Sequence, residues 1–415
     1  MKLVKTTFFS AIITFIRISS GFVAGKVVSL FTGPAGVALI GQFTNFITII
    51  LTFANGAINT GVVKYTAEYS DDNQQLKALF STSLKISIYC SGIVGAILLL
   101  SSSYLSTWMF NTSLYNNPIR VLGVTIILYS LNTLLISILN GKQQIKTYTI
   151  VNTVGSIVGL LLTVVLVYFY KVEGALYALV LAQSIVFVVT FILIIKSDWF
   201  SISYFNGAYD SKLGRKLFNY SLMTVVTALT GPVSQIILRK LLITNLGINS
   251  AGYWQGMMRI SDGYLLLITT SLSTYYLPKL SSLNTEKELR KEIFHGYKII
   301  LPAVFFGCIT IYFLRHFIIR ILYTGEFEGM QSLFAFQLLG DFFKMAAWLL
   351  GYMIIAKAMT RTYIITEILF SFSYVFLSYF CISIFKLQGI TIAFAINYFI
   401  YLIVMVIIFR KLLFK

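Results

Sequence analysis

The chain has 415 residues, of which 58% are hydrophobic and 11% charged, with a net charge of +18. Apolar runs of about twenty residues separated by short polar turns exclude a soluble globular core and point to repeated membrane crossing. The basic residues gather at the ends of these runs, so no nucleic-acid partner is expected, and three Cys without a CxxC pair and two isolated His give no basis for a disulfide framework, a metal site or a cofactor.

Residues 1–31 have a basic start and an apolar run, but Arg17 and Lys26 interrupt it and no small-residue cleavage site follows. The stretch therefore reads as a first span and not as a removable signal peptide. Twelve spans are marked at roughly 8–31, 37–59, 79–101, 118–139, 148–170, 174–195, 215–239, 251–277, 292–314, 332–356, 361–384 and 388–409, each long enough at about 1.5 Å per residue to cross a ~30 Å hydrocarbon layer. With connections assigned alternately, twenty of the 32 basic residues fall on one side, seven on the other and five within spans. The positive-inside bias then puts both termini in the cytoplasm.

The segment 197–214 lacks an apolar run and divides the chain into an N-terminal lobe, 1–196, and a C-terminal lobe, 215–415, of six spans each. Lys26, Gly36 and Lys64 recur as Lys240, Gly252 and Lys279, with Lys-to-Lys separations of 38 (26 to 64) and 39 (240 to 279). This is the spacing of a parallel repeat. No external connection exceeds about twenty residues, which leaves no room for the extramembrane domain that a membrane-embedded glycosyl-transfer enzyme uses.

Charged and polar residues inside spans cost several kcal/mol toward lipid and far less toward a wet interior, so they are the candidate functional residues. In the first span Arg17 lies near mid-depth on a face with Ser10, Thr14 and Gly21. Lys26 falls about half a circle away, facing a cavity only if the helix bends and otherwise snorkelling. In the second span Asn45, Thr48, Thr52, Asn55 and Asn59 repeat at steps of three and four, as a cavity wall or as interhelical glue. Lys85 is expected to snorkel. The seventh span carries Arg239 and Lys240 after a Gly231-Pro232 pair that predicts a kink. In the eighth, Gln255, Arg259, Asp262, Leu266, Thr269, Ser273 and Tyr276 share one face, and Asp262 is placed to pair with Arg259. Asp341 and Lys344 repeat that spacing with reversed signs in the tenth span, extended by Gln337 and Trp348, and Glu367 lies shallow in the eleventh. The reading is an all-α membrane protein of about twelve spans around a central cavity. Arg259, Arg17, Lys26, Lys240 and Lys344 are its cations, Asn45, Thr48, Thr52, Asn55, Gln255 and Thr269 its polar lining, and Asp262, Asp341 and Glu367 its candidates for ion coupling.

The stretches AGKVVSLFTGPAGVALIGQF, GVVKYTAEY, GYWQGMMRISDGYLLLITTSLSTYYLPKLSSL and GDFFKMAAWLLGYMIIAKAMTRTYIITE closely resemble the flippases for polyprenyl-linked oligosaccharides of enterobacterial common antigen and O-antigen, in the multidrug/oligosaccharidyl-lipid/polysaccharide exporter superfamily. The resemblance implies two six-helix lobes and alternating access in the bacterial inner membrane, carrying an undecaprenyl-diphosphate-linked oligosaccharide to the periplasmic leaflet. The expected partners are that substrate, membrane lipids and the glycan polymerase and chain-length regulator, with the chain itself a monomer. Guanidinium groups suit a diphosphate and Asn, Thr and Gln suit sugar hydroxyls. A multidrug exporter of the same superfamily would favour an acidic cavity, whereas five basic residues against three acidic ones lie within these spans; a non-transporting subunit of the glycan-assembly machinery is the remaining alternative.

Overall fold

The structure is a computed structural model that describes residues 2–414 except 198 and 284, without the side chains of residues 2–12, 219, 220, 222, 223, 271 and 274. The two terminal residues, and the Ser10 side chain expected beside Arg17, lie outside the described residues. In chain order the helices are α1 (Lys2–Ala54), α2 (Asn59–Glu68), α3 (Asn73–Phe110), α4 (Asn116–Gly141), α5 (Ile145–Ile195), α6 (Ser211–Leu246), α7 (Ile248–Ser271), α8 (Leu277–Ser282), α9 (Glu286–Leu322), α10 (Phe334–Ala356), α11 (Thr360–Phe385), α12 (Gly389–Ile408) and α13 (Arg410–Phe414). No strand occurs among the described residues.

Eight helical stretches among the described residues are long and apolar enough to cross a membrane. Three of them run for 42, 51 and 49 residues, too long for one ~30 Å crossing. Each contains a backbone reversal: Gly33 (φ 61, ψ −169) in α1, Lys171 (φ 50, ψ −123) in α5, and Lys386 (φ 53, ψ −130) between α11 and α12. The helix α7 is not among the eight, in keeping with its polar face.

These reversals expose the internal repeat more plainly than the lysine spacing does. Positions 171 and 386 differ by 215, and so do Gly174 and Gly389. A Cβ on either glycine would run into a backbone carbonyl eight residues earlier, that of Leu166 or of Cys381. Gln143 (φ 55) and Ala358 (φ 52), again 215 apart, close matching turns. In them Gln144 N donates to Leu139 O at 3.0 Å and Met359 N donates to Ile354 O at 2.8 Å.

The chain forms two compact units, Met1–Phe31 with Leu39–Pro232, and Thr32–Ala38 with Val233–Lys415. Segment 197–214, expected to separate the lobes, lies within the first unit, where its half-buried aromatic residues pack against α3. The Phe80 ring of α3 lies 5.7 Å from Phe205, 6.0 Å from Tyr204 and 6.4 Å from Trp199. The Tyr204 hydroxyl donates to Asn73 Oδ1 at 2.7 Å, and Lys85 donates to the Gly207 carbonyl at 2.9 Å instead of snorkelling. Asp210 then caps α6, accepting from the Lys212 and Leu213 amides at 2.8 and 3.1 Å. The Gly231-Pro232 pair, where a kink is expected, lies inside the single helix α6.

Gly174→Ala and Gly389→Ala are expected to destabilise the protein by about 1–3 kcal/mol through backbone overpacking, read as a lower unfolding temperature in detergent. Gly21→Ala, whose Cβ meets nothing within 4 Å, leaves it unchanged or slightly raised.

Candidate functional site

The polar stretch that begins at Gly252 is helical through α7 and passes into α8 by a wide π-type turn over Leu272–Tyr276. Pro278 explains the widening, because it lacks an N–H and its ring crowds the carbonyl one turn back. From α7, Ser261 donates to Asp341 Oδ2 at 2.7 Å and the Tyr264 hydroxyl donates to the same oxygen at 2.5 Å. From α10, Gln337 Nε2 donates to Asp341 Oδ1 at 3.2 Å. Asp341 is 0% exposed, so these three donors replace its water.

One turn further along α10, Lys344 is 8% exposed. Its ammonium stands 4.8 Å from the ring centre of Trp348, 5.7 Å from Tyr398 and 5.9 Å from Phe394. Those faces attract a cation by their quadrupoles. The ammonium also acts electrostatically on Asp262, Asp341 and Glu367, so the second unit brings the three carboxylates of the sequence reading into the field of one lysine. The described residues hold no group of three His, Cys, Asp or Glu placed to ligate a metal ion.

The expected Arg259–Asp262 ion pair is not formed. Helical side chains lean toward the N-terminus, which carries the earlier residue of an Arg-x-x-Asp pair away from its partner. Asp262 is exposed and under the influence of Lys344. Arg259 is half-buried and acts instead on Tyr323, whose hydroxyl donates to the Gly256 carbonyl at 3.1 Å.

Arg239, rather than its neighbour Lys240, is the enclosed cation of α6. It is 0% exposed, donates through one terminal nitrogen to Gln255 Oε1 and lies 5.6 Å from the Trp254 ring centre, while Lys240 is exposed. The signal was present in the helical spacing. Ile236, Leu238 and Leu242 are buried, and Arg239 falls on the same side of the helix. Gln255, expected to line a cavity, is already engaged by that guanidinium.

In the first unit Arg17 is exposed beside buried Thr14, and Lys26 and Asn45 are half-buried. Thr44, one turn before the expected polar residues, continues a ladder with Thr48 and Thr52. Each hydroxyl donates to the carbonyl four residues earlier, at 2.8, 2.9 and 2.8 Å. Asn55 is buried, away from exposed Thr48. In the second unit Thr269 likewise donates to Leu266 O at 3.3 Å. Threonines bonded in this way keep their oxygens free only as acceptors.

Residues 37–332 match the family described as "Polysaccharide biosynthesis protein". The chain is 34% identical over 368 residues to the lipid III flippase of Escherichia coli (strain K12), a match covering 89% of this chain and 88% of that protein. The chain belongs to this polysaccharide biosynthesis family. The lipid III flippase of Shigella flexneri matches with the same identity and coverage, so these relatives of the family are named as transporters and not as enzymes. The family member described here shares its fold with an inward-facing multidrug resistance MATE transporter of the MOP superfamily, at a TM-score of 0.80 and 16% identity over 96% of this chain and 97% of that one. A MOP-superfamily transporter from Pyrococcus furiosus superposes at 0.75, with 16% identity over 98% of this chain and 95% of that one. At such identities the likeness establishes the all-α transporter fold.

Lys344→Met, which removes the cation acting on buried Asp341, is expected to lower the unfolding temperature. In an Asp341→Asn background the same change costs markedly less. A double-mutant cycle on thermal unfolding measures this coupling.

Proposed function

We propose that the protein flips an undecaprenyl-diphosphate-linked oligosaccharide from the cytoplasmic to the periplasmic leaflet of a bacterial inner membrane, by alternating access. The observation that carries this reading is the 34% identity, over nearly the whole chain, to relatives named lipid III flippase. The residues supply a matching chemistry. A diphosphate bearing sugars cannot enter hydrocarbon unaided, while its polyprenyl tail is at home there. Arg259, Arg17, Lys26 and Lys240 are the proposed diphosphate contacts, and arginine can hold phosphate oxygens bidentately. Asn45, Thr48, Thr52 and Thr269 are the proposed sugar contacts, with buried Asn55 and the Arg239-bound Gln255 left out; the threonine oxygens accept from sugar hydroxyls, since their own protons are engaged by backbone carbonyls.

Lys344 takes a different part. Held among three aromatic rings and in the field of three carboxylates, it belongs with Asp262, Asp341 and Glu367 in a group whose protonation is proposed to change during the cycle. Both termini are proposed to lie in the cytoplasm, from the basic residues at the span ends. The working form is a monomer meeting its substrate from the surrounding lipids, with the glycan polymerase and chain-length regulator as partners downstream. Multidrug exporters share the fold, but exposed Arg17 and Lys240 and half-buried Arg259 suit an anionic cargo better than a cationic drug.

Arg259→Ala is expected to abolish display of the finished glycan on cells lacking their own flippase while membrane abundance stays normal, and Arg259→Lys to retain part of it. Undiminished display by the alanine variant contradicts Arg259 as a substrate contact, and failure of the unaltered protein to restore display with either common-antigen or O-antigen substrates contradicts the flippase reading.

A further inference from the structure

We propose that a groove between α9 and α10 is a lipid site holding one acyl chain of an anionic phospholipid, with the lipid phosphate against Arg315. The groove has a volume of about 380 Å³ and is walled by Phe305, Ile309 and Tyr312 on α9 and by Ala335, Leu339 and Phe342 on α10. No charged side chain lines it. Phe305 is 49% exposed and Leu339 44%, so its walls are open to whatever surrounds this face. In a membrane-spanning chain that surrounding is hydrocarbon.

Its length and its end identify the occupant. From Phe305 to Phe313 the wall runs eight residues, about 12 Å of helix, close to the ~15 Å depth of one leaflet of a ~30 Å core. It thus accommodates a chain from a single leaflet. Just beyond Tyr312, Arg315 donates from one terminal nitrogen to the Tyr312 carbonyl at 2.8 Å, and its guanidinium carbon stands 4.4 Å from the Tyr312 ring centre. A cation is therefore fixed at the end of an apolar trough, with donors left over for a phosphate. That charge complementarity selects an anionic headgroup over a zwitterionic one, whose own ammonium opposes Arg315. Bulk phospholipid outnumbers any polyprenyl lipid in the bilayer, so mass action fills the groove with phospholipid. This inference requires only that the chain spans a membrane and stands apart from the substrate reading.

The floor gives the site a consequence. Cys308 lines the groove, and its thiol lies 3.6 Å from the Leu338 carbonyl and 3.9 Å from the Tyr264 hydroxyl that bonds Asp341. A chain seated there braces α9 against α10 one side chain away from the buried carboxylate.

The test is native mass spectrometry of protein extracted in mild detergent from membranes of phosphatidylglycerol and phosphatidylethanolamine, with undecaprenyl phosphate added in amount equal to the phosphatidylglycerol. The unaltered protein is expected to retain one phosphatidylglycerol, and adding that lipid back to delipidated protein to raise its unfolding temperature. Ala335→Trp and Leu339→Trp, both at exposed positions, fill the groove and are expected to lose the bound lipid and the thermal shift. Arg315→Gln is expected to keep a lipid but lower the phosphatidylglycerol-to-phosphatidylethanolamine ratio several-fold. Equal retention in both filled variants, preferential retention of undecaprenyl phosphate, an unchanged ratio in Arg315→Gln or no thermal shift in the unaltered protein would each overturn the proposal.

Discussion

A charge inside a membrane-spanning protein persists only where the protein itself replaces the water it has lost. In the second unit that requirement is met by Asp341 and Lys344. Three donors from α7 and α10 converge on the carboxylate, and three aromatic faces from α10 and α12 receive the ammonium. The result ties α7 to α10 and α10 to α12 through groups that are costly to leave unpaired. Any change in the protonation of Asp341 alters this balance directly.

The remaining cations divide by how far the protein has already engaged them. Arg239 is enclosed by Trp254 and bound to Gln255, and so contributes to holding α6 on α7. Arg17 and Lys240 are exposed and Arg259 is half-buried. A flippase needs cations that bind a diphosphate in one state and release it in another, and only cations not already held by the fold meet that need.

Much of the all-α fold was legible in the sequence because hydrocarbon thickness fixes span length, and the expected spans lie largely on helix, although 37–59 overruns α1, which ends at Ala54. The repeat was legible only in part. Lysines at span ends hinted at the period, but its firmest marks are backbone conformations, and Gln143 and Ala358 perform the same turn without sharing a residue type. Segment 197–214 looked like a linker because it has no apolar run. Its isolated Trp199, Tyr204 and Phe205 find Phe80 only once the chain has folded, a long-range contact that no local pattern announces. The site was legible as residue types and not as pairings. Spacing alone put Arg259 with Asp262, whereas the structure leaves that pair unformed and brings the field of Lys344, from another helix, to Asp262.

A flippase of this family moves a diphosphate-linked oligosaccharide, and not simply any lipid, across a bilayer. The direct measurement is translocation in vesicles containing the purified protein and a polyprenyl-diphosphate oligosaccharide with a fluorescent sugar, followed by quenching from outside. Protein-dependent transfer of that headgroup is expected, and none of a fluorescent phospholipid; equal transfer of both, or no transfer above that of protein-free vesicles, would rule out a selective flippase.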